Sequence, residues 1–178
     1  MIVNNSKIEI NLLALAGVGS LIVSMFIPWW GFFTNNNTES FLYPYIIKGP
    51  VTMMVGYVRS PQMVLLTAGM AVSIILGLVG SFIHKTPGKV CRFLSGLITV
   101  FFLWRFIIRL TEITESYNLP LQGVGDAEYS GFFVATATSS LKAGFYLAGV
   151  GAVLLILAVF IPWKIGIGRT VLPERTEG

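Results

Sequence analysis

Arg105 and Arg109 interrupt an otherwise apolar stretch and are the sharpest chemical feature of the chain. Four residues apart, they share one helix face. Paired cations there could bind an anion, a lipid headgroup, a substrate carboxylate or a partner's acid; the structural alternative is that they snorkel to the headgroups. The nearest acids in sequence are Glu112 and Glu115. Other candidate chemistry is sparse. His84 is the one histidine, so a membrane haem held by axial His ligands has little to work with. Cys91, the one cysteine, stands beside Lys89 and Arg92 and excludes a disulfide within the chain. Glu39, Asp126 and Glu128 could make no more than a weak cation site, because a metal centre needs a denser cluster of donors. No Ser/His/Asp arrangement can be assembled, since His84 lies at the opposite end of the predicted spans from these acids. The residues therefore point to no catalytic, metal-binding or cofactor-binding site.

The elements that must position the arginines are four long stretches without charge, over 10–38, 60–83, 93–104 (continuing to 110) and 143–163. About 20 mostly apolar residues cross the roughly 30 Å of bilayer hydrocarbon. Three stretches meet that length outright, and the third in order does so only by tolerating Arg105 and Arg109. With 54% hydrophobic and 11% charged residues, against roughly 25% charged in soluble domains, the composition agrees. The fold class expected is a membrane all-α four-helix bundle in a single domain over 1–178. Helices are placed at about 9–30, 61–84, 90–112 and 141–163, with outer loops over 31–60 and 113–140 and a cytoplasmic tail over 164–178. The first span ends in Phe26-Ile27-Pro28-Trp29-Trp30, a bulky belt rather than a small-residue cleavage site, and reads as retained. Trp29, Trp30 and Trp163 are expected to anchor at the membrane interface.

Lys and Arg counts set the orientation. Lys7, Lys85, Lys89, Arg92, Lys164, Arg169 and Arg175 fall on one side, against Lys48, Arg59 and Lys142 on the other. Both termini are expected in the cytoplasm of a cell with this chain in its plasma membrane, and both long loops outside. The net charge of +4 is scattered at span ends, which argues against a nucleic-acid partner. The runs 41–47 and 51–58 are rich in β-branched and aromatic residues, with Lys48-Gly49-Pro50 as the turn between them. The run 131–138 is strand-like and leads into the last helix. The two outer loops are thus expected to join in a small extracellular β-sheet. Asn36-Asn37-Thr38 is a sequon on the expected outer side.

Gly69, Ser73, Gly77 and Ser81 recur every fourth residue, and Gly144, Ala148 and Ala152 repeat the pattern in the last helix. Such ridges let helix backbones approach closely in lipid, within the chain or against a partner. Leu15-Ala16-Gly17-Val18-Gly19 is echoed by Leu147-Ala148-Gly149-Val150-Gly151, and Phe26-Ile27-Pro28-Trp29 by Phe160-Ile161-Pro162-Trp163. The echo covers one helix rather than half a transporter. A pump or coupled transporter would also want a carboxylate at mid-membrane, and the spans supply none.

Trp29-Trp30-Gly31 at the exit of the first span, the strand-like runs up to Val58 and the 131–138 run before the last helix make the layout resemble a claudin-like tetraspan. The resemblance is architectural. The family's Trp-Gly-Leu-Trp…Cys…Cys signature is missing, so junction sealing or paracellular pores are not implied. The chain looks closer to small prokaryotic tetraspans with Pro-Trp after the first helix. The function expected is a non-enzymatic structural or accessory subunit that meets membrane lipids and assembles with other membrane proteins or with itself. The alternatives are a cofactor-free anchor subunit of a respiratory or oxidase complex, and a small channel or transporter.

Overall fold

The computed structural model describes residues 8–34, 38–49, 52, 59–83, 85–129, 132–161 and 164–167. Among them are four helices: α1 (Leu12–Phe26), α2 (Pro61–Phe82), α3 (Thr86–Ser116) and α4 (Ala143–Phe160). The last three are long and apolar enough to cross a membrane by length and composition. α1 packs against α2 and α4, and α3 packs against the same two neighbours.

α1 is shorter than its apolar run. Asn11 caps it by accepting a hydrogen bond from the Ala14 N–H (3.0 Å) and is itself buried. At the other end Pro28 disfavours helix at the residue before it, and the helix stops at Phe26. The 15 residues reach roughly 22 Å at 1.5 Å per residue. α2 begins as expected at Pro61, in the first turn, with Ser60 accepting from the Met63 N–H at 3.2 Å. α3 has 31 residues and extends past the expected 90–112 at both ends.

β2 (Trp30–Thr34), β3 (Glu39–Leu42), β4 (Ile47–Lys48), β5 (Gly123–Tyr129) and β6 (Phe132–Leu141) form one antiparallel sheet in the order β4-β3-β2-β6-β5. It joins the segment between α1 and α2 to the segment between α3 and α4 through the β2–β6 pairing, with Trp30 opposite Leu141. The joint sheet expected from the two loops is present, but its parts differ. Trp30 and Gly31 are strand rather than helix end. The turn falls at residues 43–46, where the Tyr43 N–H donates to the Ile46 carbonyl (2.9 Å). A turn also begins at Gly49, whose φ is +109° and whose carbonyl accepts from the Thr52 N–H (3.2 Å); Pro50 lies outside the described residues. Most of the 51–58 run lies outside the described residues, as does the Asn36 sequon.

A second sheet pairs β1 (Ile8–Asn11) with β7 (Lys164–Ile167), Asn11 opposite Lys164. The first residues of the expected tail, Lys164–Ile167, are thus a strand, because β1 offers them an edge. The two sheets sit at opposite ends of α1, one before its first residue and one after its last.

Trp29 joins helices to sheet. Its backbone N–H donates to the Leu42 carbonyl (2.8 Å), and its own carbonyl accepts from the Lys142 N–H (2.9 Å). Its indole Nε1 donates to the Ser24 carbonyl at 2.9 Å. The ring meets Phe106 edge-on, with centroids 5.2 Å apart. It is fully buried. Trp30 is also buried, and its Nε1 donates to the Leu121 carbonyl (3.2 Å). Trp29 and Trp30, expected as interfacial anchors, are buried braces between helices and sheet, because chain from both loops folds over the two indoles. Trp163 lies outside the described residues.

Candidate functional site

The small-residue ridges are spent inside the chain. A Cβ at Gly77 would lie 2.7 Å from Val18 Cγ2 of α1, 3.0 Å from Ser95 Oγ of α3 and 3.1 Å from Leu155 Cδ2 of α4. All four helices converge there. Gly69 receives the Cε2, Cζ and Cδ2 side of the Phe102 ring in the space a side chain would fill. Ser81 donates to the carbonyl of Gly77 one turn back (2.7 Å). Gly144 lets α4 begin against the carbonyls of Ile27 and Pro28, while Ala148 and Ala152 are buried.

Between α2 and α3 the polar side chains are closed on one another. Ser73 Oγ donates to the Ser95 carbonyl (2.7 Å), and Ser95 Oγ donates to the Ser73 carbonyl (2.7 Å). Thr99 Oγ1 completes the set 2.6 Å from Ser73 Oγ. All three are fully buried. In hydrocarbon a hydroxyl without a partner is costly, and this reciprocal arrangement leaves each one satisfied. The ridge on α2 signalled half of it. The other half was legible as Ser95 and Thr99 four apart on α3.

The helix echo has a counterpart in packing. Gly17 and Gly151 face each other: a Cβ at Gly151 would lie 2.9 Å from the Gly17 carbonyl oxygen. Gly19 and Gly149, two residues away, have open space around theirs. Asn11, which the sequence reading passed over, ties the same pair of helices at the other sheet, its Nδ2 donating to the Ala158 carbonyl (3.2 Å). Arg92, counted among the charges of the cytoplasmic side, is buried in α3. Its stem lies against Gly80, and its Nε donates to the Gly88 carbonyl at 3.2 Å.

Above Gly69 the ridge ends, and α2 carries Met63, Leu65 and Leu66. Here a groove of about 340 Å³ lies between α2 and α3. Phe101, Phe106 and Leu110 form its α3 wall, and Leu42, Tyr43 and Ile47 close its sheet end. Thr67 reaches that end, its one hydroxyl proton shared between the Pro44 carbonyl (3.0 Å) and the Met63 carbonyl of its own helix (2.8 Å). Both sequence-selected arginines line this groove. They are brought together on one exposed face, yet their states differ. Arg109 Nη1 pairs with Glu112 Oε2 at 2.6 Å, with both side chains about half exposed, a pair of the kind worth roughly 0–1 kcal/mol. Arg105 has no hydrogen-bond or ion-pair partner among the described residues. Among the described residues no acid lines the groove. The arrangement can receive an elongated apolar group with a negative end.

Among the described residues no group of three His, Cys, Asp or Glu is placed to hold a metal ion. Compared with known protein families and with curated proteins, the chain finds no match.

Proposed function

We propose that the chain is an integral membrane protein of four spans and acts as a non-enzymatic structural or accessory subunit, assembling with partner membrane proteins or with itself. In this reading it is a claudin-like tetraspan of the plasma membrane, with both termini cytoplasmic and the five-stranded sheet outside. The observation that carries the reading is the division of side chains on the helices. Inward faces carry Gly, Ala and Ser at close contact. Outward faces expose large apolar residues on every helix, such as Ile22, Leu65, Val100 and Val153. A water-facing protein would not leave such a belt uncovered, whereas lipid covers it at no cost. The sheet supports the assembly role. It draws strands from both inter-helix segments and is fixed to the helices through Trp29, so its exposed residues, among them Glu39, Lys48, Val124 and Asp126, offer a surface on which a partner can dock.

Extraction from native membranes with a mild detergent, followed by identification of what co-migrates, tests the role. A reproducible hetero- or homo-oligomer is expected. A monodisperse monomer free of other chains would refute it.

A further inference from the structure

We propose that the groove between α2 and α3 binds one anionic phospholipid, its acyl chain against Leu65, Phe101 and Phe102 and its phosphate on Arg105. The inference rests on the membrane placement above but not on the accessory role.

Three observations converge. The first is the level of the arginine along the membrane. The exposed apolar face of α3 runs through Val90, Phe93, Leu97, Val100 and Phe101 and ends at Trp104. Trp marks the plane where hydrocarbon gives way to headgroups, and Arg105 is the next residue. A charge there can stay in the headgroup layer while the groove beneath it reaches into the acyl region.

The second is the state of the charge. Arg109 is already engaged by Glu112. Arg105 is unpaired among the described residues, in a groove without an acid on its walls. Among the described residues the site therefore carries one uncompensated cation. A zwitterionic headgroup brings its own ammonium group next to its phosphate and neutralises this less well than a headgroup with a net negative charge. Guanidinium also suits phosphate through two parallel N–H donors.

The third is the shape. The groove stays open because Phe102 is seated on Gly69. With the ring held there, and Thr67 reaching Pro44 at the sheet end, α2 cannot close onto α3 above it. A volume of about 340 Å³ lies at the small end of ligand pockets, which run from about 300 to 1,000 Å³. That is room for a chain, not for a partner's helix. Leu65 and Phe101 are exposed on the lipid-facing side, so a lipid enters sideways from the bilayer.

The test is native mass spectrometry of the full-length protein in a mild detergent, offered equal amounts of phosphatidylglycerol and phosphatidylcholine with matched chains. The wild type is expected to retain one phosphatidylglycerol per chain in preference to phosphatidylcholine. Arg105→Gln should reduce that preference roughly tenfold, the scale of one charge-assisted hydrogen bond, while Arg105→Lys keeps most of it. Leu65→Trp, which fills the groove without touching the charge, should strip both lipids. Equal retention of the two lipids by the wild type would overturn the site, as would an unchanged preference in Arg105→Gln. A preference that survives Leu65→Trp would reduce the contact to surface attraction, which also overturns it. Loss of a co-migrating protein from Arg105→Gln with lipid retention intact would reassign the arginine to a partner's acid. Each variant is also checked in the carbonate-washed membrane pellet. Absence of the wild type from that pellet refutes the membrane reading itself, whereas a pelleted chain without bound phosphatidylglycerol refutes only the lipid site.

Discussion

Two glycines in one motif should respond to the same substitution with opposite signs. At Gly149 the position of a Cβ has nothing within 4 Å. Gly149→Ala therefore adds only helix propensity, about 0.8–1 kcal/mol in water, and should stabilise. At Gly151 the Cβ would lie 2.8 Å from Leu21 Cδ2 and 2.9 Å from the Gly17 carbonyl oxygen. Comfortable separations are roughly 3.5–4.0 Å, so the contact is short by more than half an ångström. Leu21 can turn, but the Gly17 oxygen is backbone and yields only if α1 and α4 move apart. Overpacking of this kind costs about 1–3 kcal/mol. The propensity gain is common to both variants, whatever its size in detergent. The difference between them therefore isolates the packing cost, with Gly151→Ala less stable than Gly149→Ala by about 1–3 kcal/mol. Reversible unfolding in mixed micelles titrated with sodium dodecyl sulfate, followed by far-ultraviolet circular dichroism, reads it directly. Gly17→Ala should fall between the two, since its nearest contacts are looser, with the Gly151 oxygen and Leu155 Cγ both at 3.0 Å. Equal stability of the Gly149 and Gly151 variants, or the reverse order, would refute close approach of α1 and α4 at this level.

Removing the Ser73 hydroxyl should cost about 0.6–1.7 kcal/mol, because Ser73→Ala removes the bond across to α3 and leaves the Ser95 carbonyl only the Thr99 hydroxyl of its own helix as a side-chain donor (3.0 Å). A double-mutant cycle with Ser95→Ala should return a non-zero coupling energy, and strict additivity would count against the reciprocal pair. Asn11→Ala loses both the helix cap and the tie to Ala158, and should lower the unfolding midpoint by an amount equivalent to about 1–2 kcal/mol. A neutral result there would mean that the β1–β7 end frays in solution. Glu112→Gln breaks a half-exposed pair and should change stability by less than about 0.5 kcal/mol. A larger loss in the same unfolding titration would show that Arg109 is held more firmly than its exposure implies.

Much of the helical layout was legible because length and charge alone set it. Pro61 marked the start of α2, and the fourfold spacing of Gly69, Ser73, Gly77 and Ser81 marked its buried face. What sequence concealed is non-local. Trp29 and Trp30 look like interfacial residues because aromatic rings near a span end usually are. Their burial depends on strands from a segment more than a hundred positions away, and no window of sequence shows that. The turn at 43–46 splits the expected 41–47 strand, and the missing N–H of Pro44 is its local signal. β5 has two glycines and two acids among its first six residues, and its strand character comes from its partner β6. The arginines were found at once from charge in an apolar run. Their difference, one paired and one not, and the groove beneath them exist only once β3 and β4 lie over the ends of α2 and α3.

The pairing of β1 with β7 bears on the order in which the chain is put together. α2 and α3 are neighbours in sequence, and their union can form as soon as both have emerged. α1 is made first, yet it meets its main companion last: the bond from Asn11 to Ala158 spans 147 positions. Until α4 arrives, α1 waits with its Gly17 face bare and β2 lacks its β6 neighbour, an open strand edge of the sort that recruits wrong partners. Contacts so distant along the chain slow folding because the intervening loop must close before they pay back. A ribosome that stops early therefore releases a molecule with both surfaces unsatisfied. Surveillance proteases and chaperones that read open edges and bare helix faces would recognise the truncated product, and β6 and α4 are the elements that hide the two signals.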